Sequence, residues 1–219
     1  MAYDRWSAAG AGVAHDACAG LGPAEEEILR CFDAASQREA RIGELRDFES
    51  TSLTKLIDYL INKHHVYARR QMAGIGALLD KLSAAHAQSH PELARVRGLF
   101  TVLRQKLLFD METAEGSFFP HVISTETAAC LNKPRAVLYF GSMRDSIRTL
   151  MREHDGLCAL LDEIRAATND YTPPDGACAS YRALCQALSD LKFDLLQLIY
   201  LEDRVLFPRI LGLERRARA

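Results

Sequence analysis

Four polar side chains interrupt helical stripes that are otherwise apolar: His65, Asp110, His154 and Glu202. Imidazoles and carboxylates are donors that iron and manganese accept. Helical bundles build metal centres by projecting such groups inward from facing helices. An ionised carboxylate in an apolar interior is costly unless it is paired or bound to a metal. Taken singly, each of the four has a plainer reading, as a partly exposed residue or one hydrogen-bonded to a neighbour. One such residue on each of four helices points to a shared site.

The stripes define the elements that must position these groups. Ser52 or Thr51 caps a helix whose apolar positions begin Leu53, Leu56, Ile57, Leu60 and Ile61. The stripe continues through His65, Ala68, Met72, Ile75, Leu79, Leu82 and His86 in steps of three and four. Gly74 and Gly76 mark places where it could bend. Pro91-Glu92 opens a second helix carrying Val96, Phe100, Leu103, Leu107, Asp110, Ala114 and Phe118. Proline predicts its end before Pro120, with a loop from His121 to Pro134. A third helix carries Met143, Ile147, Leu150, His154, Leu157, Leu161 and Ile164. Asn169 to Gly176 reads as a loop. A fourth helix carries Leu184, Leu188, Leu191, Leu195, Leu198, Glu202 and Val205 and ends at Pro208. No segment alternates as a strand does. The fold class is all-α, an antiparallel four-helix bundle over residues 51–219.

The bundle reads as two related halves. The second helix ends Phe118-Phe119-Pro120 and the fourth ends Leu206-Phe207-Pro208. His65 precedes Pro120 by 55 residues, and His154 precedes Pro208 by 54. Residues 1–50 form an N-terminal extension with one helix, opened by Pro23 and the acids Glu25, Glu26 and Glu27. That helix offers a surface for a homodimer.

Composition narrows the function classes. The 219 residues are 48% apolar, enough for one ordinary core, and their formal charge is −2. A near-neutral balance excludes a strongly basic nucleic-acid footprint. No apolar run reaches the ~20 residues of a membrane span, and Met1 to Trp6 has no signal-peptide pattern. The expectation is a cytoplasmic protein. Its six scattered cysteines, with no C-x-x-C pair, are expected to stay reduced. There is no nucleophile constellation, phosphate loop or nucleotide motif. Whether the chain is an enzyme stays open.

The stretch from about Ser52 to Leu211 resembles the hemerythrin-like domain of the Repair-of-Iron-Centres family, the ScdA/DnrN/NorA type. The matching segments are Leu56-Ile57-Asp58-Tyr59-Leu60, His64-His65, His90-Pro91-Glu92-Leu93, Glu153-His154-Asp155, Pro174-Asp175-Gly176-Ala177-Cys178 and Leu206-Phe207-Pro208-Arg209. The resemblance implies a hemerythrin-like bundle with two irons. Each half of it supplies a His on its first helix and a His-x-x-x-Glu on its second. His65 and His154 match the first-helix ligands, and Glu202 matches a bridging carboxylate. Asp110 stands where the family has His, Ala114 where it has a bridging Glu, and Leu198 where it has His. Glu115, one residue past Ala114, is a further donor in reach, although helix geometry turns it about 100° from the stripe.

Three functions follow. The first is a non-haem iron protein, mono- or dinuclear, of the nitric-oxide and iron-stress response. His65, Asp110, Glu115, His154 and Glu202 would hold the metal, and NO or O2 would be the small ligand. The second is a sensor or binding module that has lost the di-iron site. There, haem sits between His65 and His154, with Tyr139, Tyr200, Arg69 and Arg70 at its edge. The third is a structural or partner-binding bundle in which Glu202 is neutralised by a histidine. His86, His90 and His121 read as helix-end or surface histidines, and Cys18, Cys178 and Cys185 as packing residues.

Overall fold

The computed structural model describes residues 48, 50–86, 88–131 and 143–216. The expected N-terminal helix and most of the loop before Met143 lie outside them. The described chain is four helical rods. The first joins α1 (Leu53–Tyr59), π1 (Leu60–His65) and α2 (Val66–His86). The second joins α3 (Glu92–Thr113), π2 (Ala114–Phe118) and α4 (Phe119–Cys130). The third is α5 (Met143–Ala167). The fourth joins α6 (Ala179–Tyr200), π3 (Leu201–Leu206) and α7 (Phe207–Arg216). No strand occurs among the described residues.

The rods pack up-down-up-down. α3 lies on α5, α2 on α6, α1 on α4 and α7 on α5. Every expected stripe residue except Ile61, His86, Asp110 and Val205 is buried, and the apolar ones form one continuous core from Leu53 to Leu213. None of the described helices is long and apolar enough to cross a membrane.

Two proline stops were expected and neither occurs. Pro120 and Pro208 are each the second residue of a following α-helix, α4 and α7. A proline in a helix's first turn needs no N–H, because that donor has no partner there. The wider π turn just before each proline lets the rod run on through the missing donor. The expected loop from His121 is therefore helical as far as Cys130. Gly74 and Gly76 produce no break in α2.

The start of the first rod is fastened from outside. Ser52 Oγ accepts from Lys55 N at 3.3 Å. Glu126, on α4, accepts from Leu53 N at 2.7 Å, Thr54 N at 2.9 Å and Thr54 Oγ1 at 2.7 Å. One carboxylate thus satisfies two of the four backbone donors that a helix start leaves open.

Candidate functional site

The three π stretches fall where the candidate residues are. His65 ends π1, Glu115 lies in π2 and Glu202 lies in π3. Such one-turn expansions are frequent at functional sites.

His154, in the middle of α5, is 2% exposed and is held on both sides. Its Nδ1 lies 2.8 Å from Asp203 Oδ1. Its Nε2 lies 3.2 Å from Glu202 Oε2 and 3.7 Å from Asp110 Oδ2. The consecutive residues Glu202 and Asp203 embrace one ring from two directions. Asp203 is a member that the stripe pattern missed. The signal for it was the repeat, because Asp203 precedes Phe207 by the same four residues that separate Glu115 from Phe119.

Charge explains why the cluster holds together. Burial by itself favours the neutral form of His154. Hydrogen bonds to Asp203 and Glu202, and their charge, outweigh it and hold the pKa at about 10. Asp110 moves the other way. Burial pushes its carboxyl up, His154 pulls it down, and Glu202, Glu153 and Asp203 push again, to about 6. Asp203 is also raised, since burial outweighs the pull of His154. The result is one imidazolium against three carboxyl groups.

The chemistry of this donor set fits one metal ion. One imidazole and two carboxylates are acceptable to iron or manganese. A carboxylate on the far nitrogen, here Asp203, is the usual partner of a metal-bound histidine. The present spacing is that of a hydrogen-bonded group, with Nε2–H between the carboxylates. Among the described residues, no group of three or more His, Cys, Asp or Glu side chains is placed to hold a metal ion. Ala114 and Leu198, both buried, bring no donor.

His65 and Glu115 form a separate pair. His65 Nδ1 lies 2.6 Å from Glu115 Oε1, which also accepts from Arg69 at 2.9 Å. Burial raises the Glu115 carboxyl, but hydrogen bonds from Arg69 and His65 prevail and lower it. The structure thus unites Asp110, His154 and Glu202, while His65 and Glu115 form a pair of their own. Between the two histidines runs a chain of rings. His65 stacks on Phe119 at 6.0 Å, Phe119 meets Phe118 at 6.1 Å, Phe118 meets Phe207 at 6.0 Å, and Phe207 stacks on His154 at 6.0 Å. Arg69 is engaged by Glu115, Tyr200 packs beside Cys158, Leu196 and Ile199, and Tyr139 lies outside the described residues.

His64, next to His65, is buried as well. Its Nδ1 lies 2.9 Å from Asp194 Oδ1, while His64 Nε2 and Asp194 Oδ2 have no hydrogen-bond partner. His86 closes α2 and is half-buried. His90 pairs with Glu92 at 3.0 Å, and His121 lies beside Thr125. A cavity of about 400 Å³ between the first and second rods, lined by Gly76, Phe100 and Arg104, includes none of the candidate residues.

No protein-family profile matches the chain. It is similar to iron-sulfur cluster repair proteins named YtfE. That of Edwardsiella ictaluri is 31% identical over 170 residues, covering 76% of this chain and 70% of the relative. That of Escherichia coli O1:K1 is 28% identical over 167 residues, with 76% and 70% covered. That of Enterobacter sp. strain 638 is 26% identical over 201 residues, with 89% and 86% covered.

Proposed function

Because the chain belongs to the Repair-of-Iron-Centres family of iron-sulfur cluster repair proteins, we propose that it serves that repair by holding one non-haem iron. The donors are His154, Glu202 and Asp110. The supporting observation is the approach of Glu202 and Asp110 to one nitrogen, Nε2, of a buried imidazole whose other nitrogen is held by Asp203. An iron held by only three protein donors keeps open positions, where NO or O2 would add. To bind an ion His154 would have to lose its Nε2 proton to solvent, and the charge of the cation would then replace that of the imidazolium beside the carboxylates. The aromatic rings of Phe207, Phe118 and Phe119 exclude water from one side. His65 and Glu115 pair with each other in the half where Ala114 brings no donor, so neither is assigned to this ion. The same reading places the protein in the cytosol, where its thiols stay reduced.

The contact between His154 and Glu202 at 3.2 Å also supports a second reading. In it the imidazolium neutralises the carboxylates, the bundle carries no metal, and repair proceeds through a partner. Anaerobic reconstitution with Fe(II) decides between the two. About one iron per chain, lost in Glu202→Gln, supports the first. Less than half an iron per chain supports the second.

A further inference from the structure

His154 presents two nitrogens, and its stacking partner does not choose between them. Phe207 lies nearly parallel to the ring, with 10° between their planes. A half-turn of the imidazole about its Cβ–Cγ bond keeps that plane and that stacking. It moves Nδ1 away from Asp203 and carries Nε2 off the line to Glu202 and Asp110. What distinguishes the two orientations is the hydrogen bond from Nδ1–H to Asp203 Oδ1 at 2.8 Å.

The other half of the bundle repeats the device. Glu115 takes Nδ1 of His65 at 2.6 Å, four residues before the phenylalanine on which that ring stacks. Asp194 takes Nδ1 of His64 at 2.9 Å. In each pair the carboxylate belongs to a different rod from its histidine. Three buried histidines are therefore all held at Nδ1, which leaves Nε2 as the outward donor.

We propose that Asp203 is the positioning residue of the iron site: it fixes the His154 ring so that Nε2 faces Glu202 and Asp110, and it strengthens Nε2 as a donor to a divalent cation. This rests on the single-ion reading above. Asp203 itself does not touch the ion. Glu115, in the same way, orients His65.

Full-length protein titrated anaerobically with Co(II), a coloured probe ion, tests this. Partners of this kind typically contribute about 10- to 100-fold in metal affinity. Asp203→Leu is expected to weaken Co(II) binding by that factor and to shift the visible bands. Asp203→Asn, whose amide oxygen still accepts from Nδ1–H, is expected to recover most of the loss. In the metal-free protein, the His154 Nδ1–H proton should appear in 15N-edited spectra of the wild type and Asp203→Asn, and disappear in Asp203→Leu. A folded Asp203→Leu protein that binds Co(II) as tightly as wild type, with unchanged bands, overturns the proposal. If Asp203→Leu does not fold, Asp203→Glu carries the test, since its longer arm displaces the ring. Unchanged affinity and bands there overturn the proposal equally. Wild-type protein that takes up no Co(II) overturns the single-ion reading instead, and the Nδ1–H signal then scores the positioning of the ring by itself.

Discussion

The ring of Phe207 lies flat against that of His154, with centroids 6.0 Å apart and planes 10° apart. Phe207 is 2% exposed and also receives the edge of Phe118. It joins the histidine to the core and to the other half of the repeat. Phe207→Ala should destabilise the fold by about 3–5 kcal/mol, the usual range for deleting a buried aromatic ring. Phe207→Leu, which keeps most of the volume, should cost less yet still loosen His154. Urea denaturation measures the first effect, and iron stoichiometry of the folded Phe207→Leu protein measures the second. A Phe207→Ala protein as stable as wild type would show that the ring is not part of the core's framework.

The cysteines should divide by burial. Cys130 and Cys178 are exposed, while Cys158 and Cys185 are buried. Burial pushes the Cys158 thiol up to about 12, helped by the charges of Asp162, Asp155 and Asp203. A thiol held protonated and covered is a poor nucleophile. Brief iodoacetamide treatment of native protein, read by peptide mass spectrometry, should label Cys130 and Cys178 and spare Cys158 and Cys185. Early labelling of Cys158 would contradict its placement between α5 and α6.

Glu126 predicts an acid limb of the stability curve. Burial raises its carboxyl, but hydrogen bonds from Thr54 and Leu53 prevail and lower it. A carboxyl lowered on folding stabilises the folded state above its unfolded pKa, and that contribution fades as pH falls through the folded value. The loss should therefore appear below the ordinary glutamate range, near pH 4 and under. Glu126→Gln should flatten that limb and cost about 1 kcal/mol at neutral pH, as capping losses do. Urea midpoints from pH 3 to 7 check it. Parallel curves for both proteins would assign the acid limb to other groups.

The helical stripes were legible because a 3.6-residue period requires only that apolar side chains share a face. Leu56, Met72, Leu103, Leu161 and Leu191 are all buried as that period requires. Pro120 and Pro208 misled because a missing N–H breaks a regular ladder but not one that has just slipped a residue through a π turn. The same slip hid the environment of His64. A regular helix turns neighbours about 100° apart, so His64 and His65 compete for one stripe position in the sequence, yet both are buried. Asp110, His154 and Glu202 were readable as polar breaks in apolar stripes. The stripes did not show Asp203 or the pairing of Glu115 with His65, because both are contacts between rods and a stripe describes one rod at a time; only their shared four-residue offset from Phe207 and Phe119 in the repeat marks them.

Ala114 and Leu198 stand where the family resemblance implies a glutamate and a histidine, and both can be changed to those residues. Both positions are 4% exposed and face the core. A glutamate at 114 would enter from the second rod, and a histidine at 198 from the fourth, one turn from Glu202. Each substitution alone buries a polar group without a partner, which costs on the order of 1–3 kcal/mol. Ala114→Glu and Leu198→His should therefore each lower stability in metal-free protein. Together, and with Asp110→His completing the pattern, they should raise iron uptake from the about one ion per chain of the proposed reading to about two, and iron should recover the lost stability by mass action. Elemental analysis and thermal melts with and without Fe(II) measure both effects. A triple variant that folds but still holds one iron or none would show that the chain has lost more of the second position than its donors. In that case the pairing of His65 with Glu115 and Arg69 is the first contact to undo, since it holds the remaining histidine of that half in place.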